Sequence, residues 1–154
     1  MKNGATPLYI ASEKGHVAAC ELLVAKGANI EATTTDGFTP LLHASQNGHV
    51  AVCELLVTKG ANFEATTNAG TTPLYIASEN GHVAVCELLV GKGANIDATN
   101  KNGATPLLMA SYNGHVHVVR LLLAAGANRD SRDKDGDTAY SCAKSDDIRA
   151  LLKK

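Results

Sequence analysis

Apolar and polar residues alternate along the chain in blocks that return every 33 residues. Each period begins with a short segment of mixed character, such as Pro7 to Lys14. It continues with a segment that is apolar on nearly every face, such as Val17 to Val24. A polar stretch rich in turn residues, such as Ala28 to Gly37, completes the period. Short segments bounded by glycine are typical of short helices, so the pattern predicts two helices and an extended connector per period.

The register is marked by the tripeptide Thr-Pro-Leu, which recurs without a slip and degenerates only in a fifth, shortened copy. The first and third copies are identical at about 25 of 33 positions, which excludes chance periodicity. Residues 1–154 are therefore predicted to form one domain of repeats 2–34, 35–67, 68–100 and 101–133 and a truncated repeat 134–154. Isolated helices this short are marginal in water, so we expect each repeat to be stable only when it is stacked on its neighbours.

Local signals mark the ends of the predicted helices. Thr at the N-cap followed by Pro at the first helical position begins the first helix of each full copy, as in Thr6-Pro7. Glycine, which tolerates the left-handed conformation common at a helix C-terminus, ends it at Gly15 and ends the second helix at Gly27.

Five short motifs recur at fixed offsets in each full copy: Gly-x-Thr-Pro-Leu, Ala, Gly-His, Leu-Leu and Gly-Ala-Asn. Because of these motifs, the whole chain resembles the ankyrin repeat family. The resemblance implies an all-α solenoid of stacked helix-turn-helix units joined by β-hairpin-like connectors. It also implies a non-catalytic module that binds a protein partner through its connector tips and the concave face of its first helices.

Two positions depart from the family's usual pattern. The His that commonly follows Thr-Pro-Leu is replaced, and its side-chain hydrogen bond is expected to be absent or substituted. The replacements are Tyr9, Leu42, Tyr75 and Leu108. The usual Gly-Ala-Asp has become Gly-Ala-Asn, which removes a negative charge from each connector, at Asn29, Asn62, Asn95 and Asn128.

Composition narrows the classes of partner. The net charge is −1, no basic stripe is present and aromatic residues make up 4%, which argues against nucleic acid. Apolar runs fall far short of the roughly 20 residues that span a bilayer, so no membrane partner is expected. No phosphate-binding loop or dinucleotide fingerprint occurs, and no cofactor is expected. We expect a cytoplasmic or nuclear protein.

Three of the four cysteines, Cys20, Cys53 and Cys86, occupy the same position in successive copies. Stacked helices lie about 8 to 10 Å apart, which is too far for a disulfide or a shared zinc ion. Val119 takes this position in the fourth copy, so the cysteines are predicted to be small buried hydrophobes. Cys142 is predicted to lie on a different helix.

A histidine begins each second helix and is predicted to fix the turn between the two helices by hydrogen bonding and packing. These residues are His16, His49, His82 and His115. A serine lies four residues before each, as with Ser12 and His16, which raises the alternative of an activated nucleophile. No acidic third member recurs, so we expect no enzymatic activity and no catalytic or metal residues.

Positions that vary among otherwise near-identical copies are predicted to face solvent, because a drifting core position would incur a cavity or overpacking penalty of roughly 1 to 5 kcal/mol. The variation falls at the connector tips and at the end of the first helix. His43 is added because it occurs once on a first helix and could face a partner, and Phe38 and Tyr112 because exposed aromatic residues are common binding anchors. The alternative for Phe38 and Tyr112 is a single exposed apolar residue without a role, and the alternative for His43 is ordinary packing. The predicted partner-binding residues are Asn3, Ala5, Thr35, Asp36, Phe38, His43, Gln46, Asn47, Asn68, Ala69, Thr71, Glu79, Asn80, Lys101, Asn102, Ala104, Tyr112 and Asn113, with Lys2 as a further tip position.

The two ends differ in character. The fifth copy loses about three residues around the turn between its helices and becomes polar and charged. It keeps Ile148, Leu151 and Leu152 for an inward face, which predicts a capping repeat. The first copy has an interior-type sequence, which suggests that an upstream repeat is missing. We expect a monomer with weak self-association through this uncapped repeat. The near-identity of the copies also permits a second hypothesis, an engineered or consensus-like scaffold without a cognate partner.

Overall fold

The computed structural model describes residues 3–154, so Lys2 lies outside the described residues. The described part holds nine α-helices and no β-strand. The helices are α1 (Pro7–Lys14), α2 (Val17–Ala25), α3 (Pro40–Gln46), α4 (Val50–Thr58), α5 (Pro73–Asn80), α6 (Val83–Gly91), α7 (Pro106–Asn113), α8 (Val116–Ala124) and α9 (Asp146–Leu152). The prediction of two short helices per full copy is confirmed.

The first helix of each full repeat begins as its sequence dictates. The Thr39 hydroxyl accepts a hydrogen bond from the Leu42 N–H (3.2 Å), and Pro40 fills the first helical position, where no N–H is needed. The same cap opens α1, α5 and α7. The second helices lack a side-chain cap at their histidine. They therefore depend on packing for their stability.

The helices stack in two rows. Helices α1, α3, α5 and α7 pack against one another, while α2, α4, α6, α8 and α9 form the second row. The main core lies between the rows, where leucines of the first helices such as Leu41 and Leu74 meet Val52, Cys53 and Leu56 of α4. Every repeat thus contributes apolar side chains to one continuous core.

A smaller apolar cluster lies on the other side of the first helices, towards the connectors. Leu42, Tyr75, Ile76 and Leu108 are buried in it, and the half-buried Phe38 packs against them. The first helices are therefore apolar on two sides, which leaves their C-terminal ends as the more exposed part.

The histidines at the start of the second helices bind the neighbouring repeat. The Nε2 of His82 lies 2.8 Å from the Gln46 carbonyl oxygen at the end of α3, and His49 and His115 make equivalent bonds to Glu13 and Glu79. Because a carbonyl only accepts, Nε2 must carry the proton. The predicted hydrogen bonding is present, but it joins successive repeats instead of fixing the turn within one.

A glycine makes room for each of these histidines. Gly48 has a φ of +74°, and a Cβ built on it would lie 2.5 Å from Nδ1 of His82. Gly15 and Gly81 stand in the same relation to His49 and His115. Glycine is therefore required at this position for two reasons: the backbone has a positive φ, and an imidazole ring of the next repeat approaches closely.

The asparagines of the Gly-Ala-Asn motif also join neighbouring repeats. The Asn62 N–H donates to the Glu31 carboxylate (2.7 Å), and the Asn62 side chain accepts from the Glu64 N–H (2.9 Å). Asn95 and Asn128 repeat this arrangement with Glu64 and Asp97. Asparagine thus closes the turn that the family's usual aspartate would close.

The fifth repeat keeps one helix only. Ile148 and Leu152 of α9 are buried and Leu151 is half-buried, which agrees with the predicted inward face. The prediction that Cys142 lies on a helix is wrong, because residues 139–142 form turns. The Ser141 hydroxyl bonds the Thr138 N–H and the Asp137 carboxylate, which competes with helical bonding.

Candidate functional site

The connectors end in tight turns that are linked into one row. Within one tip, the Thr34 N–H donates to the Phe38 carbonyl (3.0 Å) and the Gly37 N–H to the Thr34 carbonyl (2.9 Å), as in a short hairpin. Between tips, the Asn68 N–H donates to the Asp36 carbonyl (3.0 Å). The same bond joins Thr35 to Asn3, Lys101 to Ala69 and Lys134 to Asn102. The backbone bonds therefore hold the five tips in fixed register.

We call the connector tips, together with the adjoining side of α1, α3, α5 and α7, the first-helix face. Ten of the predicted partner-binding positions are exposed on it: Asn3, Thr35, Asp36, Asn47, Asn68, Ala69, Asn80, Lys101, Asn102 and Tyr112. Seven are half-buried: Ala5, Phe38, His43, Gln46, Thr71, Glu79 and Asn113. Whether any of them binds a partner stays a prediction.

Ala104 does not face solvent, and the prediction that it does is wrong. It is 5% exposed and belongs to the apolar cluster that contains Leu108 and Tyr75. Its position varies among the copies because each tip packs differently against the first helices, with Phe38 and Thr71 at the equivalent places. Variation between copies can thus mark a local change in packing as well as a solvent-facing position.

Phe38 and His43 form an aromatic cluster with Tyr9. The rings of Tyr9 and His43 have centroids 4.3 Å apart, and those of Phe38 and His43 are 4.7 Å apart. The Tyr9 hydroxyl lies 2.5 Å from Nε2 of His43, so a tyrosine at the position of the family's usual histidine makes a side-chain hydrogen bond here. Phe38 therefore packs against His43 with part of its side chain, and the rest of the side chain remains accessible to solvent.

Burial shifts both titratable groups of this cluster. It lowers the pKa of His43, against an opposing contribution from the Glu13 charge, and Nδ1 of His43 is buried without a hydrogen-bond partner in the described structure. Burial also raises the pKa of Tyr9, as do the charges of Glu13 and Asp36. Both side chains are consequently held in their neutral forms near pH 7.

The asparagines at the ends of the first helices use part of their hydrogen-bonding capacity within the helix. The Asn47 amide donates to the His43 carbonyl (2.9 Å), and Asn80 and Asn113 bond the carbonyls four residues before them. These side chains help to end the helix, and their amide oxygens make no hydrogen bond within the described residues.

A depression of about 360 Å³ lies at the C-terminal end of the first-helix face. Its apolar wall includes Leu108 and Met109, and its aromatic residues are Tyr75 and Tyr112. Tyr112 is 60% exposed. Three aspartates of the last connector tip also line the depression: Asp133, Asp135 and Asp137. We call this feature the C-terminal depression.

Tyr75 lines the C-terminal depression, although it is only 3% exposed. Its hydroxyl oxygen accepts a hydrogen bond from the Asn100 amide (2.9 Å). Burial and the Glu79 charge raise the pKa of Tyr75 to about 12, although the Asn100 bond lowers it. The hydroxyl is therefore protonated near pH 7 and can still donate.

The geometry contradicts the alternative of a serine activated by histidine. Ser12, Ser45 and Ser78 are fully buried, and their hydroxyls lie 3.5 to 3.6 Å from the sulfur of the cysteine in the same repeat. Ser111, whose repeat carries Val119 instead of cysteine, donates to the Ala139 carbonyl (2.5 Å). The histidine Nε2 atoms of three repeats face carbonyl oxygens of the preceding one.

The cysteine ladder is part of the core. Cys20, Cys53 and Cys86 are fully buried, and all four cysteines are free thiols. Burial raises the pKa of Cys53 and of Cys86 to about 11, which keeps the thiols protonated. The predicted role as small buried hydrophobes agrees with this burial. Across residues 3–154, no group of three or more His, Cys, Asp or Glu side chains is arranged to hold a metal ion.

Comparison with known protein families agrees with the stacked architecture. The family model for ankyrin repeats in three copies matches residues 28–100 and 74–154, and the model for a single ankyrin repeat matches residues 3–35. The chain belongs to the ankyrin repeat family. No curated protein sequence matches it significantly. None of the helices described within residues 3–154 has the length and apolar character needed to cross a membrane.

Ankyrin repeats are generally protein–protein interaction modules, and proteins of this family are typically non-catalytic. Sequence comparison among the repeats located the exposed tips of this member, but it missed the C-terminal depression. The depression depends on Asp133, Asp135 and Asp137, which lie in the last connector, where the fourth repeat meets the capping repeat. Their spacing at alternate residues was the available signal.

Proposed function

We propose that this chain binds a protein partner through its first-helix face. The observation that supports the proposal is the hydrogen-bonded row of connector tips, which presents exposed polar side chains in fixed register. Fixed tips lose little conformational freedom on binding, and this lowers the entropic cost of association. A rigid face therefore favours recognition of a folded or extended protein surface.

The size of the face is adequate for a specific complex. A standard interface buries roughly 800 Å² per partner, about a tenth of the 7474 Å² that the described chain exposes. Asp36 and Lys101 supply opposite charges along the row of tips, and Tyr112 supplies an exposed aromatic anchor. Exposed aromatic residues are common binding anchors, so we assign Tyr112 the largest contribution.

The test compares two triple variants in affinity capture. The face variant carries Asp36→Ala, Lys101→Ala and Tyr112→Ala, which removes one acidic, one basic and one large side chain, all exposed. Phe38 is left unchanged because its truncation would open the cluster around His43 and confuse loss of binding with loss of stability.

The control variant carries Glu54→Ala, Lys92→Ala and Leu22→Ala, the same three classes of exposed side chain on or beside the second helices. The wild type and the control should retain a protein that the face variant loses. Equal retention by all three would contradict the assignment of the face.

The alternative is a structural or engineered scaffold without a cognate partner. The identity of about 25 of 33 positions between the first and third copies favours it, because uniform repeats suit a purely structural array. Capture of no specific protein by the wild type from several sources would support this alternative over the first proposal.

We also infer a cytoplasmic or nuclear location and a monomeric state with weak self-association. Four free thiols suit a reducing compartment. Self-association is assigned to the first repeat because Leu22 is 60% and Ile10 37% exposed there. Light scattering of the wild type beside Leu22→Ser should show a concentration-dependent mass only for the wild type.

A further inference from the structure

The three aspartates of the C-terminal depression carry charges that their turn does not need. The Oδ1 atom of Asp133 accepts from the Asp135 N–H (3.0 Å) and from the Asp137 N–H (2.9 Å). In the preceding tip, Asn100 makes the same two bonds with its neutral amide oxygen, to Asn102 and Ala104. The turn would thus form equally well with Asn at the position of Asp133.

No cation of the described chain neutralises these carboxylates. The ion pairs within residues 3–154 join Arg149 to Asp146 and Lys154 to Asp130, and both lie away from the depression. Of the two cations beside them in the sequence, Arg132 directs its guanidinium to the Gly136 carbonyl (2.8 Å), and Lys134 makes no ion pair within the described residues. The negative charges therefore remain available to a partner.

The charges act within the depression as well as at its rim. Cys142 lines the depression, and its pKa is raised by burial and by the charges of Asp137 and Asp133, while a hydrogen bond from Ser141 opposes this. The Asp137 carboxylate accepts from the Ser141 hydroxyl (2.9 Å), and the exposed Asp135 side chain makes no hydrogen bond within the described residues. Acceptor capacity is consequently left over on this wall.

The aromatic lining of the depression suits a cationic ligand. The face of an exposed tyrosine such as Tyr112 attracts a cation, and a planar guanidinium can stack on it while it bonds a carboxylate. A volume of about 360 Å³ is at the lower end of the roughly 300 to 1,000 Å³ of small-ligand pockets, which fits one long side chain.

We propose that the C-terminal depression seats a basic side chain, arginine or lysine, of the protein partner, so that the module selects basic segments. This inference rests on the proposed function and names the chemistry of the partner at one part of the first-helix face. Carboxylates and an exposed tyrosine that line the same depression give complementarity to an extended cationic side chain.

The test uses three acetylated peptides of the form Gly-Ser-Gly-X-X-Gly-Ser-Gly, in which X is arginine, its neutral analogue citrulline, or glutamate. Binding is followed by amide chemical shifts of the isotope-labelled protein at low and at physiological salt. The arginine peptide should shift the amides of Tyr112, Asp135 and Asp137 saturably, and salt should weaken its binding. The citrulline and glutamate peptides should leave these amides unchanged.

Two variants localise the effect. Asp135→Asn retains a residue suited to the turn, and Tyr112→Ala alters an exposed side chain, so both should fold. Each should weaken binding of the arginine peptide by roughly two- to fivefold, the range for one exposed charge or cation–π contact. The control, Glu54→Gln with Glu87→Gln, removes exposed charges from the second helices and should not alter the affinity.

Equal shifts from the citrulline peptide, shifts centred on the second helices, or no saturable binding of the arginine peptide up to about 1 mM would overturn the inference. These results are independent of the capture experiment. Suppose that the face variant loses a captured partner while the depression does not bind the arginine peptide. The proposed function would then stand, and only the assignment of basic segments would be removed.

Discussion

The glycine that makes room for the histidine of the next repeat, as Gly48 does for His82, offers the sharpest test of how the repeats are joined. Gly48 and Gly60 both have positive φ, +74° and +94°. A Cβ on Gly60 would meet nothing within 4 Å, whereas a Cβ on Gly48 would lie 2.5 Å from Nδ1 of His82. Alanine at the two positions therefore separates backbone strain from the displacement of a neighbouring side chain.

The magnitudes follow from this geometry. Gly60→Ala should destabilise by about 1 to 2 kcal/mol, the cost of the left-handed conformation for a residue with a Cβ. Gly48→Ala incurs the same cost and also displaces His82, which breaks its 2.8 Å bond to the Gln46 carbonyl. A hydrogen bond contributes about 0.5 to 1.5 kcal/mol, and the ring must also repack. We expect a total of roughly 2 to 4 kcal/mol for Gly48→Ala.

The assay is urea unfolding followed by far-UV circular dichroism, with His82→Ala as the second arm of a double-mutant cycle. In the His82→Ala background, the cost of Gly48→Ala should fall to that of Gly60→Ala, because no ring remains to be displaced. Equal costs for the two glycine variants in the wild-type background, or an unchanged cost of Gly48→Ala without the imidazole, would refute the reasoning.

Three further predictions concern titration, thiol chemistry and the cap. Burial lowers the pKa of His43, so the stability that its neutral form contributes is complete above the unfolded-state pKa of 6.5 and is lost as the pH falls below that value. His43→Gln should flatten the dependence of the unfolding free energy on pH in this range, as measured by urea unfolding. An unchanged pH dependence would contradict the assignment. A thiol reagent near pH 7 should modify the half-buried Cys142 before the fully buried Cys53, whose pKa is about 11. Equal rates of modification, measured by mass spectrometry of peptides, would disprove this order. Ile148→Ala should destabilise the protein by about 2 to 5 kcal/mol and reduce hydrogen-exchange protection chiefly in α8. A uniform loss of protection along the stack would argue against a local capping role of α9.

The fold was predictable because its signals are local and repeated. Thr39 and Pro40 begin a helix by their own chemistry, and Gly48 permits its end, so the elements follow without knowledge of distant contacts. The main core could be predicted as well, since a second helix that is apolar on most faces must be covered on most faces.

The candidate site was less predictable, because burial there depends on which side chains meet across repeats. Ala104 and Phe38 occupy equivalent positions, yet the first is buried under the tip and the second packs on an imidazole. The inter-repeat bond of His82 likewise joins residues 36 positions apart, which no local pattern reveals. Only the stacked structure shows that Tyr9 and Tyr75 find different partners for the same hydroxyl.

Among the full repeats, the bonds of the inter-repeat histidines and of the Gly-Ala-Asn asparagines point in one direction, since each repeat donates to acceptors of the one before it. The bonds of Ser111 and Arg129 to the capping repeat run the other way. If residues 68–100 were excised as a block, His115 would meet the Gln46 carbonyl in place of that of Glu79, and the Asn128 N–H would meet Glu64 in place of Asp97. The new junction would be chemically the same as the two that it replaced. Genetic recombination can therefore change the length of such an array by whole periods without inventing a contact, while any other deletion would misalign every donor at the junction.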